Sequence, residues 1–99
     1  MPIRSRPIYT GRTSSIGTSA VALTSSDVSG DRGVQIFADS SNAGTLYVGE
    51  DDTVTADSAD GTDGYPIAAG ETVVIPTLRP DLLYVIASTG TNKLWWMLV

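Results

Sequence analysis

Apolar and polar positions alternate most regularly near the middle of the chain. Val34, Ile36 and Ala38 interleave with Gln35, Phe37 and Asp39. After the polar break at Ser40, Ser41, Asn42, Ala43 and Gly44, Leu46 and Val48 interleave with Thr45, Tyr47 and Gly49. Period-two alternation on both sides of a Ser/Asn/Gly cluster predicts two antiparallel strands joined as a hairpin. One face of that hairpin is apolar. The other carries Gln35, Phe37, Thr45 and Tyr47 and is half polar.

The same reading extends along the chain. Small and β-branched residues predict a strand over 18–24, followed by the turn-forming run SSDVSGDRG at 25–33. Residues 50–64 are polar and acidic, with Val54 as the one expected buried side chain. Tyr65, Pro66 and Ile67 return to the core edge, Gly70 and Glu71 turn, and TVVI at 72–75 is a strand ended by Pro76. A turn at Leu78, Arg79, Pro80 and Asp81 leads to LLYVIAS at 82–88, and TGTN at 89–92 leads to the last strand, KLWWMLV at 93–99.

No segment has a helical period. About six to eight short strands with turn signals between them predict an all-β fold, a small antiparallel β-sandwich or flattened barrel. The expected core is Val34, Ile36, Leu46, Val48, Val74, Leu83, Val85 and Leu94. The last two strands are apolar on both parities, which argues for burial of both faces. In a small sandwich the second face should meet water, so Tyr84, Trp95, Trp96 and Met97 are expected at a subunit interface.

Composition narrows the chemistry. Ninety-nine residues make one domain, and a chain of this size gains stability by oligomerising. There is no Cys and no His, which removes disulfides, thiolate chemistry, the commonest general base and the commonest metal ligand. No apolar run approaches the roughly 20 residues of a membrane span, and no apolar stretch of a secretory signal follows the basic start. Eleven Ser and twelve Thr against a single Lys, Lys93, suit strands and turns.

Charge is segregated. Residues 1–12 hold Arg4, Arg6 and Arg12 and no acid, whereas residues 33–78 hold eight carboxylates and no base. Two prolines, Pro2 and Pro7, favour an extended backbone. The expected organisation is therefore an extended basic arm, 1–12, on a sandwich domain, 13–99. Arg4, Arg6, Ile8, Tyr9 and Arg12 would be its partner-binding residues, docking on an acidic surface such as a neighbouring subunit's body.

The candidate sites are few. Asp51, Asp52, Asp57, Asp60 and Asp63 offer the oxygen ligands that Ca²⁺ takes, but the spacing fails. Starting from Asp57 places Ala59 and Gly61 at ligand positions, and starting from Asp60 places Gly64 at the fifth. No metal site is assigned. A carboxylate pair for glycoside hydrolysis needs an apolar pocket to raise one pKa, and every acid here sits in a polar loop. The glycines form neither a phosphate loop nor a dinucleotide fingerprint. No catalytic residue and no cofactor is expected. Nucleic-acid binding would need basic residues among the aromatics, and the aromatic-rich end has one Lys. Tyr47, Tyr65, Trp95 or Trp96 can stack on a sugar, so carbohydrate binding stays open.

Five stretches carry a family resemblance: NAGTLYVG at 42–49 followed by Val54 and Thr55, GYPI at 64–67, AGET at 69–72, Leu83-Tyr84-Val85, and the closing Trp95-Trp96. Together they resemble small β-sandwich structural proteins of tailed bacteriophages, over about residues 33–99. The resemblance implies a non-enzymatic virion component on the capsid surface, a capsid decoration (cement) protein, or else a neck or tail accessory. It implies the major capsid protein or another virion protein as partner, and a homo-oligomer with a trimer favoured. The alternative is a carbohydrate- or receptor-binding module of a neck, tail or fibre. The acidic stretch 50–63 lies outside the resemblance.

Overall fold

The computed structural model describes residues 9–26, 28–29, 32–56, 61 and 63–99. Eight strands are found among them. They are β1 (Thr10–Ile16), β2 (Val21–Ala22), β3 (Val34–Ala38), β4 (Leu46–Gly49), β5 (Tyr65–Ile67), β6 (Thr72–Ile75), β7 (Tyr84–Ala87) and β8 (Asn92–Leu98). One 3-10 turn, Pro80–Leu82, precedes β7. The strands form two four-stranded sheets in the orders β1-β8-β3-β6 and β2-β7-β4-β5. Every strand pairing is antiparallel. The fold is all-β, as the alternation predicted, and is a two-sheet sandwich.

The order of pairing has a simple form. The first strand pairs with the last, the second with the seventh, the third with the sixth and the fourth with the fifth. The chain is thus one long antiparallel hairpin, rolled up so that β8 also meets β3 and β7 also meets β4. An eight-stranded double sheet with this connectivity is a jelly roll. The tip of the rolled hairpin is the acidic stretch between β4 and β5.

This connectivity corrects the expected central hairpin. β3 and β4 do not pair: β3 lies between β8 and β6, and β4 lies between β7 and β5. Residues 39–45 carry the chain across from one sheet to the other. The alternation is real on both sides, but it reports only that each strand buries one face. Two strands on opposite sheets satisfy it as well as two neighbours do.

Two asparagines hold this end of the roll. The Asn42 side chain acts as one more ladder residue: its Nδ2 donates to the Lys93 carbonyl at 2.9 Å and its Oδ1 accepts from the Lys93 amide at 2.8 Å. Asn92 is 2% exposed and fully satisfied. Its Nδ2 donates to the carbonyls of Ile16 at 3.0 Å and Thr89 at 2.8 Å, and its Oδ1 accepts from the Gly44 amide at 3.0 Å. A Cβ on Gly44 would stand 2.5 Å from the Thr89 carbonyl oxygen, so the crossover passes the β7–β8 turn at a distance only glycine permits.

The core lies between the sheets. Ile16, Ile36, Leu46, Ile67 and Leu94 are fully buried, each worth about 1.5–3 kcal/mol relative to exposure. Of the expected core, Val34, Ile36, Leu46, Val48, Leu83, Val85 and Leu94 are buried, and Val74 is not, at 55% exposure. Val74 pairs with Gln35 on the outer face, while Val73 and Ile75 pack inward. The run TVVI is apolar on both parities, so its period does not choose a face.

Trp96 corrects another expectation. It is 6% exposed and belongs to the core, not to a subunit interface. Gly11, its partner across the β1–β8 ladder, makes the room: a Cβ there would stand 2.5 Å from the indole. The strand expected over 18–24 is only the two-residue β2, and the unpredicted β1 precedes it. β1 is a polar run whose ladder breaks between Thr13 and Ile16, where Ser15 adopts a φ of 59°. Because Thr10–Arg12 lie in β1, the sandwich begins before residue 13 and the expected arm boundary falls inside a strand.

Candidate outer-face site

Alternation along the strands of the first sheet sends one set of side chains away from the core. Thr10 and Arg12 on β1, Trp95 and Met97 on β8, Gln35 and Phe37 on β3, and Thr72 and Val74 on β6 share this outer face by ladder register. Trp95 is 42% exposed and Val74 55%, with Phe37 and Met97 half buried beside them. A hollow of about 430 Å³ lies over Thr10, Gly11, Arg12, Gln35, Phe37 and the β8 residues 95–97. The Arg12 guanidinium carbon is 5.6 Å from the Trp95 ring centroid, which is cation–π range. That contact keeps one plane of the indole covered by a cation.

At one end of this face the Asp39 carboxylate accepts from both the hydroxyl and the amide of Ser41. These bonds, helped by the Trp95 indole N–H and the charge of Lys93, hold Asp39 below the ordinary aspartate range against a smaller opposing effect of desolvation. The face therefore combines an apolar platform with fixed polar groups at its rim. It can bind a flat apolar or amphipathic surface.

A second concavity opens between the sheets on the side where β5 and β6 are outermost. It encloses about 650 Å³ and is lined by Val48, Gly49, Glu50, Tyr65, Leu83 and residues 73–76. Next to it, the tip of the roll folds through local hydrogen bonds. Asp51 accepts from the amide and hydroxyl of Thr53, which lowers its pKa, and Thr55 donates to Asp63 at 2.8 Å. Val54 is buried, as expected, 6% exposed against Gly49. Among the described residues no three carboxylates gather into a cluster able to hold a metal ion. Asp57 and Asp60 lie outside the described residues.

The residues singled out from the sequence do not form one patch. Trp95 and Met97 share the outer face of the first sheet, Tyr84 is half buried on the outer face of the second, and Trp96 is inside. Of the arm residues, Arg12 joins the outer face and Tyr9 is 38% exposed, its carbonyl accepting from the Leu98 amide at 3.0 Å. Arg4, Arg6 and Ile8 lie outside the described residues. Sequence reasoning did not assign Phe37, Gln35 and Val74 to the outer-face site. Phe37 and Gln35 sit on the correct parity of β3, but the expected hairpin grouped them with Tyr47, which the structure puts on the other sheet.

No family model matches the chain, and neither the curated proteins nor the solved structures yield a match.

Proposed function

We propose that this chain is a non-enzymatic structural protein of a bacteriophage particle, most specifically a capsid decoration protein that binds the shell and reinforces it. The observation that carries the reading is the apolar outer face of the first sheet, with Trp95 exposed at a shallow hollow and Val74 exposed on the same face by ladder register. Protein-binding surfaces are enriched in Trp, Met and Arg, and Trp95, Met97 and Arg12 meet there. The sequence resemblance to phage β-sandwich proteins supplies the particle, and the major capsid protein or a neighbouring virion protein is the partner. A jelly roll alone names no function.

A second reading draws on the same face. Trp95, with Arg12 against its ring and Gln35 further along the same hollow, has the form of a sugar-stacking platform with polar groups at its edge. On that reading the chain is a carbohydrate-binding module of a tail or fibre. Quantitative mass spectrometry of purified particles of the encoding phage separates the two. Hundreds of copies per particle support decoration. About a dozen or fewer, with binding of the isolated protein on a glycan array, support the second reading.

A further inference from the structure

We infer that the opening between the sheets beside β6 is the acceptor site for the basic N-terminal arm of a second copy of this chain. β6 is an edge strand. In an antiparallel edge strand, alternate backbone N–H and C=O groups point away from the sheet and accept another strand. Inward from this edge the opening is apolar, lined by Val48, Val73, Ile75 and Leu83, with Tyr65 at its mouth, 61% exposed. An extended apolar segment suits that lining, by the chemistry of strand addition.

Charge selects the segment. Glu50 lines the opening, and the adjoining hollow at the tip of the roll shares Glu50 and Tyr65 with it and adds Asp51 and Asp63. The sequence has one segment of opposite character: MPIRSRPI at 1–8, with Arg4 and Arg6, two isoleucines and no acid. Its two prolines cannot donate to a ladder, so the four residues 3–6 between them are the stretch able to pair, the same number as β6 contains.

Geometry favours a second copy over the chain's own arm. Tyr9 is tied to β8 at the far edge of the sheet from β6, three strand spacings or about 14 Å away. Eight extended residues span at most about 29 Å. An arm folding back in cis spends half its reach on the crossing and has only its first few residues left to lie along β6. An arm arriving from a neighbour carries no such restriction. The inference stands apart from the virion reading, because self-association of this kind needs no capsid.

The chain has no cysteine, which makes disulfide trapping free of background. Two full-length single variants, Ile3→Cys and Tyr65→Cys, are mixed under mild oxidation. The comparison pair is Ile3→Cys with Ala22→Cys, an exposed position on β2 at the opposite side of the sandwich. The expected result is a mixed dimer forming at least about tenfold faster with Tyr65→Cys, with the excess reduced in 0.5 M salt. Equal rates for the two pairs overturn the inference. So does a double variant, Ile3→Cys/Tyr65→Cys, that closes a bond within one chain while the mixed single variants show no preference. An excess that salt leaves unchanged overturns the role of charge.

Discussion

Replacing Asn92 by alanine should damage the fold more than the loss of any exposed polar side chain. Asn92 joins three segments that the jelly roll brings together from distant parts of the chain: the end of β1 through the Ile16 carbonyl, the β7–β8 turn through Thr89, and the β3–β4 crossover through the Gly44 amide. Each bond contributes a net of about 1 kcal/mol, and the partners left behind carry a desolvation penalty, so Asn92→Ala should lose roughly 3 kcal/mol. In a domain of about 100 residues that lowers Tm by roughly 12–24 °C. Asn42→Ala breaks two bonds, both to the Lys93 backbone in a less buried place, and should lose about 1–2 kcal/mol. Asn92→Asp should be as harmful as alanine at neutral pH, because a carboxylate would then face two carbonyl oxygens. Urea unfolding followed by tryptophan fluorescence reads these differences, since Trp96 is buried in the folded state. A loss below about 1 kcal/mol for Asn92→Ala, or a larger loss for Asn42→Ala, would refute the reasoning.

Trp96→Ala should destabilise by about 3–5 kcal/mol as a buried aromatic truncation, whereas Trp95→Ala should change stability by less than about 1 kcal/mol and act on binding instead; thermal unfolding of the two variants checks the contrast. Gly11→Val should destabilise by at least about 1–3 kcal/mol, because its side chain enters the space of the Trp96 indole, and near-wild-type unfolding would contradict the packing described. Stability should be flat from about pH 5 to 7, where the chain has no histidine to titrate, and should decline below about pH 4. Asp39, Asp51 and Asp81 lie below the ordinary 3.8 through hydrogen bonds from Ser41, Thr53 and Arg79, so their contribution is complete above that value and is lost as pH falls through their folded values. A Tm that rises between pH 5 and pH 3 would contradict this sign.

Some of this architecture was legible in the chain and some was not, for physical reasons. The alternation of Val34, Ile36, Leu46 and Val48 marked the inward faces correctly, because burial of one strand face writes a period of two whatever the neighbour is. It did not say which strands pair, so the crossover at 39–45 read as a hairpin. Its true role depends on two hydrogen bonds to residues far away in sequence, from the Asn42 side chain to the Lys93 carbonyl and from the Gly44 amide to the Asn92 side chain. β1 was invisible, because TGRTSSI carries no apolar period and is held in the sheet by its ladder with β8. Val74 and Trp96 were misplaced because their strands are apolar on both parities, which leaves orientation to the packing of β6 on β3 and of β8 against Gly11. The outer-face site was half legible. Trp95, Met97 and Arg12 stood out as residues, but their meeting with Phe37 and Val74 exists only once β3, β6 and β8 share a sheet.

The proposed role turns on whether the outer face of the first sheet holds the protein on a particle. The direct measurement is occupancy on purified capsids lacking this protein, titrated with the wild-type chain and with Trp95→Ala, each shown to be folded. Trp95 exposes about 100 Å² of mostly apolar surface, taking about 250 Å² as its full area, and burying it contributes about 2.5 kcal/mol. The account predicts saturation at hundreds of copies per capsid by the wild type and a Kd roughly 50–100-fold weaker for the variant. Equal occupancy curves for the two proteins, or no binding of the wild type to the shell, would contradict it.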